Sequence, residues 1–149
     1  MRTIKLINLH VLLPIIVGGL IYLSFRHTTL NMFKWVELIS LSSFINLVRE
    51  TLYPIKGYLP EWIIFSLPDG LWVYSFSSSF IIIWNDEFDF AKPWLLVPLF
   101  LGAFAEVFQY FRILPGTFDL IDLFICATAS ILSIYFVKLK IKKNENKNF

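Results

Sequence analysis

Cysteine is nearly absent from this chain: Cys126 is the only one in 149 residues. That excludes an internal disulfide and leaves the redox compartment unmarked. Histidine is almost as scarce, and neither an HExxH motif nor Cys/His metal-ligand spacing occurs. There is no Ser/His/Asp arrangement and no Gly-rich phosphate loop, so nothing resembles an ATP site. Charge is thin as well, with 16% Asp, Glu, Lys and Arg against 57% hydrophobic residues. That balance excludes an ordinary soluble domain and places the chain in the membrane class. The formal charge is +2, but five of thirteen Lys and Arg fall within residues 138–149. Such asymmetry bears on membrane orientation and not on nucleic acid.

What is present is a series of long apolar runs. Leu6 to Phe25 is long enough to cross a bilayer core of about 30 Å as a helix. Its basic start resembles a signal peptide, but Tyr22 to Arg26 is too bulky for a cleavage site, so an uncleaved anchor is expected. Gly18 and Gly19 would let a neighbouring helix approach closely. Arg26 to Lys34 is a polar connection. Trp35 to Val48 is too short to span, and its apolar positions Trp35, Leu38, Ile39, Phe44, Ile45 and Val48 share a helical face. It reads as one interfacial or re-entrant helix.

Thr51 to Glu61 carries two prolines and a glycine and reads as a loop. Ser66-Leu67-Pro68-Asp69 has the pattern of a helix start, with Ser66 as cap and Asp69 complementing the helix dipole. That helix should reach Trp84. Asn85 to Lys92 is a charged turn, and Pro93 opens a helix to about Ile113. Leu114-Pro115-Gly116 breaks it, and Thr117 caps a last helix over Phe118 to Val137. Trp84 and Trp94 flank the same turn, as in an aromatic belt. The basic tail 138–149 should fray.

The expected fold is therefore an all-α, polytopic integral membrane bundle with four spanning helices and one interfacial or re-entrant helix. Residues 1–137 form a single transmembrane domain. The lysine-rich tail puts the C-terminus on the cytoplasmic side of the cell membrane, and the 112–119 turn then faces outward. Charge counting does not separate four spans from five, whereas segment length favours four.

Polar residues inside apolar helices supply the candidate site. Glu106 and Gln109 share a helix face, and so do Asp119 and Asp122 on the next helix. At about 1.5 Å per residue, Glu106 lies some 9 Å below Arg112, and Asp122 some 6 Å below Phe118. The depths nearly match, and Asp69 opens its helix on the same side. Glu106 and Asp122 are the candidate catalytic pair. Asp69, Gln109, Arg112 and Asp119 are candidate ligand-binding residues, although Asp69 and Asp119 also suit helix N-termini structurally and Arg112 suits an interfacial anchor. Paired carboxylates in a low dielectric can act as acid and base, bind a cationic group, or merely lock helix packing. Hard oxygen ligands would also suit a divalent cation, but no metal is assigned.

Glu106-x-x-Gln109, followed by Thr117-Phe118-Asp119-Leu120-Ile121-Asp122, resembles the VanZ-like family of small bacterial membrane proteins. Asp69 is similar to that family's earlier Asp, and the resemblance covers roughly residues 66–135. Gly116 stands where the family has a basic residue, and Gly70 to Val73 where it has a Lys and a His. Cys126 and Ala129 replace its usual Asn and Gly, while Ala129 and Ser133 keep a small-residue stripe. The resemblance implies a place in the cell envelope and a role like low-level teicoplanin resistance. Membrane lipids, a lipid-linked envelope precursor or a glycopeptide are the expected partners. The alternative is a non-enzymatic assembly or interaction protein.

Overall fold

The computed structural model describes residues 2–84, 87–113 and 118–145, and every regular element among them is helical. α1 (Arg2–Ile7), a π turn (Asn8–Leu12) and α2 (Leu13–Phe25) form one continuous rod. Pro14 accounts for the π turn. It has no N–H for the His10 carbonyl and its ring crowds that carbonyl, so the turn before it widens. The widened turn is used by a neighbouring helix: Ser75 Oγ donates to the Val11 carbonyl at 2.9 Å.

The expected single helix over 35–48 is instead two, α3 (Asn31–Leu38) and α4 (Ser42–Leu52). Ser40 is the reason. It adopts φ 58°, and the Ser40 and Leu41 N–H groups bond back to the Glu37 and Val36 carbonyls. That is a Schellman ending, a turn that normally uses glycine. At about 12 and 17 Å, neither helix can cross a bilayer. Phe33, Val36 and Ile45 pack inward against Leu23 and Leu30. Trp35, Leu38, Ile39 and Phe44 point outward, away from the bundle, so most of the expected apolar face lies on the outer surface. The expected loop after Thr51 is largely a 3-10 segment, Tyr53–Tyr58, with Pro54 in its first turn.

α5 (Glu61–Phe65) leads into α6 (Leu67–Ile83) through a break at Ser66. Pro68 cannot donate to the Ile64 carbonyl, which interrupts the ladder there. Ser66 is already in the right-handed helical region and makes no capping bond, contrary to its expected role. α7 (Phe88–Tyr110) begins before Pro93 and contains both Pro93 and Pro98, so Pro93 does not open it. The second half of the expected charged turn is helical, with Asp89 paired to Lys92. α8 (Leu120–Glu145) continues beyond Val137 into the basic tail. The Leu114–Gly116 breaker and the Thr117 cap lie outside the described residues.

Among the described residues, three helices are long and apolar enough to cross a membrane: Thr3–Phe25, Phe88–Tyr110 and Leu120–Leu139. α6, at about 25 Å, is slightly shorter and packs against α2, α7 and α8. The bundle encloses serines and an acid beside its apolar core and exposes large apolar side chains outside. Ser24, Ser75, Ser77, Ser78, Ser133 and Glu106 are buried, whereas Ile16, Leu101, Phe104, Phe124 and Ile131 are exposed. That distribution suits lipid as the surrounding solvent and is the pattern of a multi-pass membrane protein.

Small residues let the helices meet. A Cβ on Gly70 would lie 2.4 Å from Ile125 Cγ2, and one on Gly18 would lie 2.9 Å from Trp72 Nε1. Gly19, also expected to receive a neighbour, faces open space. On α8 the buried stripe runs through Cys126, Ser130, Ser133 and Val137. At the far end of α6, Trp84 and Trp94 stack with centroids 5.8 Å apart.

Gly70→Ala should lower thermal stability. Overpacking costs about 1–3 kcal/mol, more than the roughly 1 kcal/mol that alanine gains over glycine in a helix. Thermal unfolding in detergent measures the balance, and a raised midpoint would contradict the close approach. Ser40→Gly should act oppositely and stabilise by on the order of 1 kcal/mol, because glycine adopts a positive φ without the Cβ clash. The same melting experiment reads it.

Candidate functional site

Four helix ends converge at one end of the bundle. The C-terminus of α2 brings Arg26, the start of α6 brings Asp69, the last turns of α7 bring Glu106 and Gln109, and the start of α8 brings Asp119 and Asp122. They surround a chamber of about 650 Å3. Arg26 Nη2 lies 3.8 Å from Asp69 Oδ2. The segment between those two residues therefore leaves and returns at the same end of the bundle.

Glu106 is buried, 6% exposed. Its Oε2 accepts the Asp119 backbone N–H at 2.9 Å. Asp119 Oδ1 in turn accepts the Ile121 N–H at 2.8 Å, so Asp119 is the N-cap of α8. The Asp122 carboxyl faces Glu106, and Asp69 is within electrostatic reach of both. Asp122 Oδ1 is enclosed but has no hydrogen-bond partner among the described residues. Two acids are thus tied into helix-end geometry, and Asp122 keeps an unspent acceptor.

Arg26 forms the opposite wall. Its Nη2 donates to the Phe65 carbonyl at 2.6 Å, and its guanidinium lies over the Tyr22 and Phe65 rings. The Asp69 pair is long and partly exposed, a geometry that contributes at most about 1 kcal/mol. The carbonyl bond and the two rings therefore do more to hold the side chain. Arg26 Nε is enclosed and has no hydrogen-bond partner among the described residues. Arg49 supports this wall from behind, donating to the Leu23 and Arg26 carbonyls at the end of α2.

A second, more apolar cavity of about 290 Å3 lies beside the chamber between α6, α7 and α8. Phe76, Pro98, Leu101, Gly102, Leu123 and Cys126 line it, and Asp69, Trp72, Glu106, Gln109 and Asp122 border both spaces. The two cavities share these walls, the first polar and the second mostly apolar. Among the described residues, no three His, Cys, Asp or Glu are grouped so as to hold a metal ion.

Five of the six residues singled out from sequence, Asp69, Glu106, Gln109, Asp119 and Asp122, line the chamber. Arg112 does not. It is exposed, and it closes α7 at φ 57° as its N–H bonds to Gln109 and the Ile113 N–H to Phe108. Arg26, Tyr22, Trp72 and Glu61 are chamber residues that the sequence did not mark. Arg26 looked like an ordinary polar flank of the first span. Only the return of the chain to Phe65 and Asp69 makes it a wall.

No family model, curated protein or solved structure matches this chain.

Asp119→Ala should destabilise by about 1 kcal/mol through loss of the cap, while the Asp119 N–H to Glu106 bond persists. A thermal shift near zero would show that the cap contributes nothing to α8.

Proposed function

We propose that this chain is a VanZ-like membrane protein of the bacterial cell envelope whose chamber binds or modifies an outer-leaflet lipid, envelope precursor or glycopeptide. The observation that carries the reading is that a charged chamber and an apolar recess lie side by side and share five wall residues. A soluble metabolite has no use for the recess, and an acyl chain alone has none for the carboxylates. An amphiphile uses both.

In this reading α6 is the fourth span, shortened at its start by the chamber. The segment from Arg26 to Asp69 lies along the membrane, with Trp35, Leu38 and Ile39 in the interface. The basic tail of α8 is cytoplasmic, and the chamber opens on the outer side. Glu106 and Asp122 are the working groups, acting as an acid–base pair or as the seat of a cationic group.

A second reading has a specific observation behind it. The bond from Asp119 N–H to Glu106 Oε2 ties α7 to α8, so the acids could serve only to lock the bundle of an assembly protein. Glu106→Gln and Asp122→Asn separate the two. For a binding or catalytic chamber, both variants fold at wild-type yield and lose the envelope phenotype, measured as teicoplanin protection in expressing cells. Full protection by both variants would rule the chamber out. Reduced folded yield, with protection scaling to the protein that remains, would favour the packing role.

A further inference from the structure

The chamber walls carry more than a surplus of acid. One side presents Arg26, whose Nε is enclosed and has no hydrogen-bond partner among the described residues. The other presents Asp122, whose Oδ1 is enclosed and equally without one. A buried polar atom left unpaired costs about 1–3 kcal/mol, so a chamber with one such donor and one such acceptor in its walls is unusual. The Arg26–Asp69 pair does not relieve them, since it engages Nη2 and leaves Nε idle.

We propose that the space is built for a zwitterionic glycerophospholipid carrying a primary ammonium, the aminoethyl-phosphate headgroup class. This rests on the lipid-binding reading above and narrows it. The phosphate sits against Arg26, which offers it a charge-assisted donor. The ammonium sits against Asp122 and Glu106, where three N–H donors meet carboxylate acceptors. Trp72 stands where the chamber meets the recess, and one acyl chain enters that recess along Pro98, Leu101 and Gly102.

The charge balance decides against an anionic headgroup. Glu61, Asp69, Glu106, Asp119 and Asp122 line the chamber against a single Arg26. A lipid with only a phosphate would leave the acids facing its negative charge, and like-charge juxtaposition costs several kcal/mol. A purely cationic head would leave Arg26 Nε unspent. The helix ends set the level: Asp122 lies in the first turn of α8, and Glu106 about 6 Å from the end of α7. Headgroups occupy that level of a bilayer, and the recess points from it toward the hydrocarbon.

Native mass spectrometry on the delipidated full chain tests this. The protein is titrated in mild detergent with phosphatidylethanolamine and with phosphatidylglycerol of the same acyl chains. The first should be retained on the order of tenfold better. Asp122→Asn should collapse that preference, with Glu106→Gln as the second variant if the first does not fold. Arg26→Gln should weaken both lipids. Gly102→Leu, whose side chain would grow toward Cys126, should weaken both lipids without changing their ratio. Equal or better retention of phosphatidylglycerol by the wild type, or an undiminished preference in Asp122→Asn, would overturn the headgroup assignment while lipid binding stands. Free O-phosphoethanolamine binding as tightly as the lipid would overturn the acyl-chain placement. Retention of neither lipid above detergent background would defeat the lipid-binding reading as well.

Discussion

The contact of α6 with α8 at Gly70 governs the rest of this structure. No Cβ stands between the two backbones there, and one would come within 2.4 Å of Ile125. Asp69 precedes Gly70 in sequence, and Asp122 lies one turn before Ile125. Bringing the helices together at that point therefore sets two acids beside one chamber. In lipid, helices gain little from hydrophobic burial against each other, because the tails outside are as apolar as leucine. Close backbone approach and polar bonds must supply the association. Gly18 against Trp72, Ser75 on the Val11 carbonyl and Glu106 on the Asp119 N–H are of these kinds.

Prolines shape the space as strongly as glycines. Pro14 widens the first rod into a π turn, Pro68 breaks the entry to α6, and Pro98 sits in the recess wall within α7. At Pro14 and Pro68 a missing N–H and a bulky ring keep the helix from being a smooth cylinder. Smooth cylinders would pack with less void between them. The recess thus owes part of its wall to a proline inside α7, while Leu30, Glu61 and Trp62 of the connecting segment complete the chamber.

Helix endings show where sequence reading went astray. The apolar spacing from Trp35 to Val48 suits one helix, but Ser40 takes a left-handed conformation and divides it. Arg112 does the same at the end of α7. Both sit where glycine is usual, so neither residue type announces the turn. Pro93 resembled a helix start because proline favours first turns, yet α7 takes in five residues before it. Thermodynamic context overrode a local preference: a long apolar helix tolerates a proline whose lost bond neighbouring groups can replace.

The order of residues alone indicated the long apolar helices that could span a membrane and the grouping of Glu106, Gln109, Asp119 and Asp122 at one level. Those follow from composition and from the helical repeat, which are local properties. Tertiary packing decided that Arg26 joins them, that Arg112 does not, and that an apolar recess opens beside the acids. The reason is distance along the chain. Arg26 meets the Phe65 carbonyl and Asp69 only because a long surface segment folds back to the end it left, and no pattern within either stretch encodes that return.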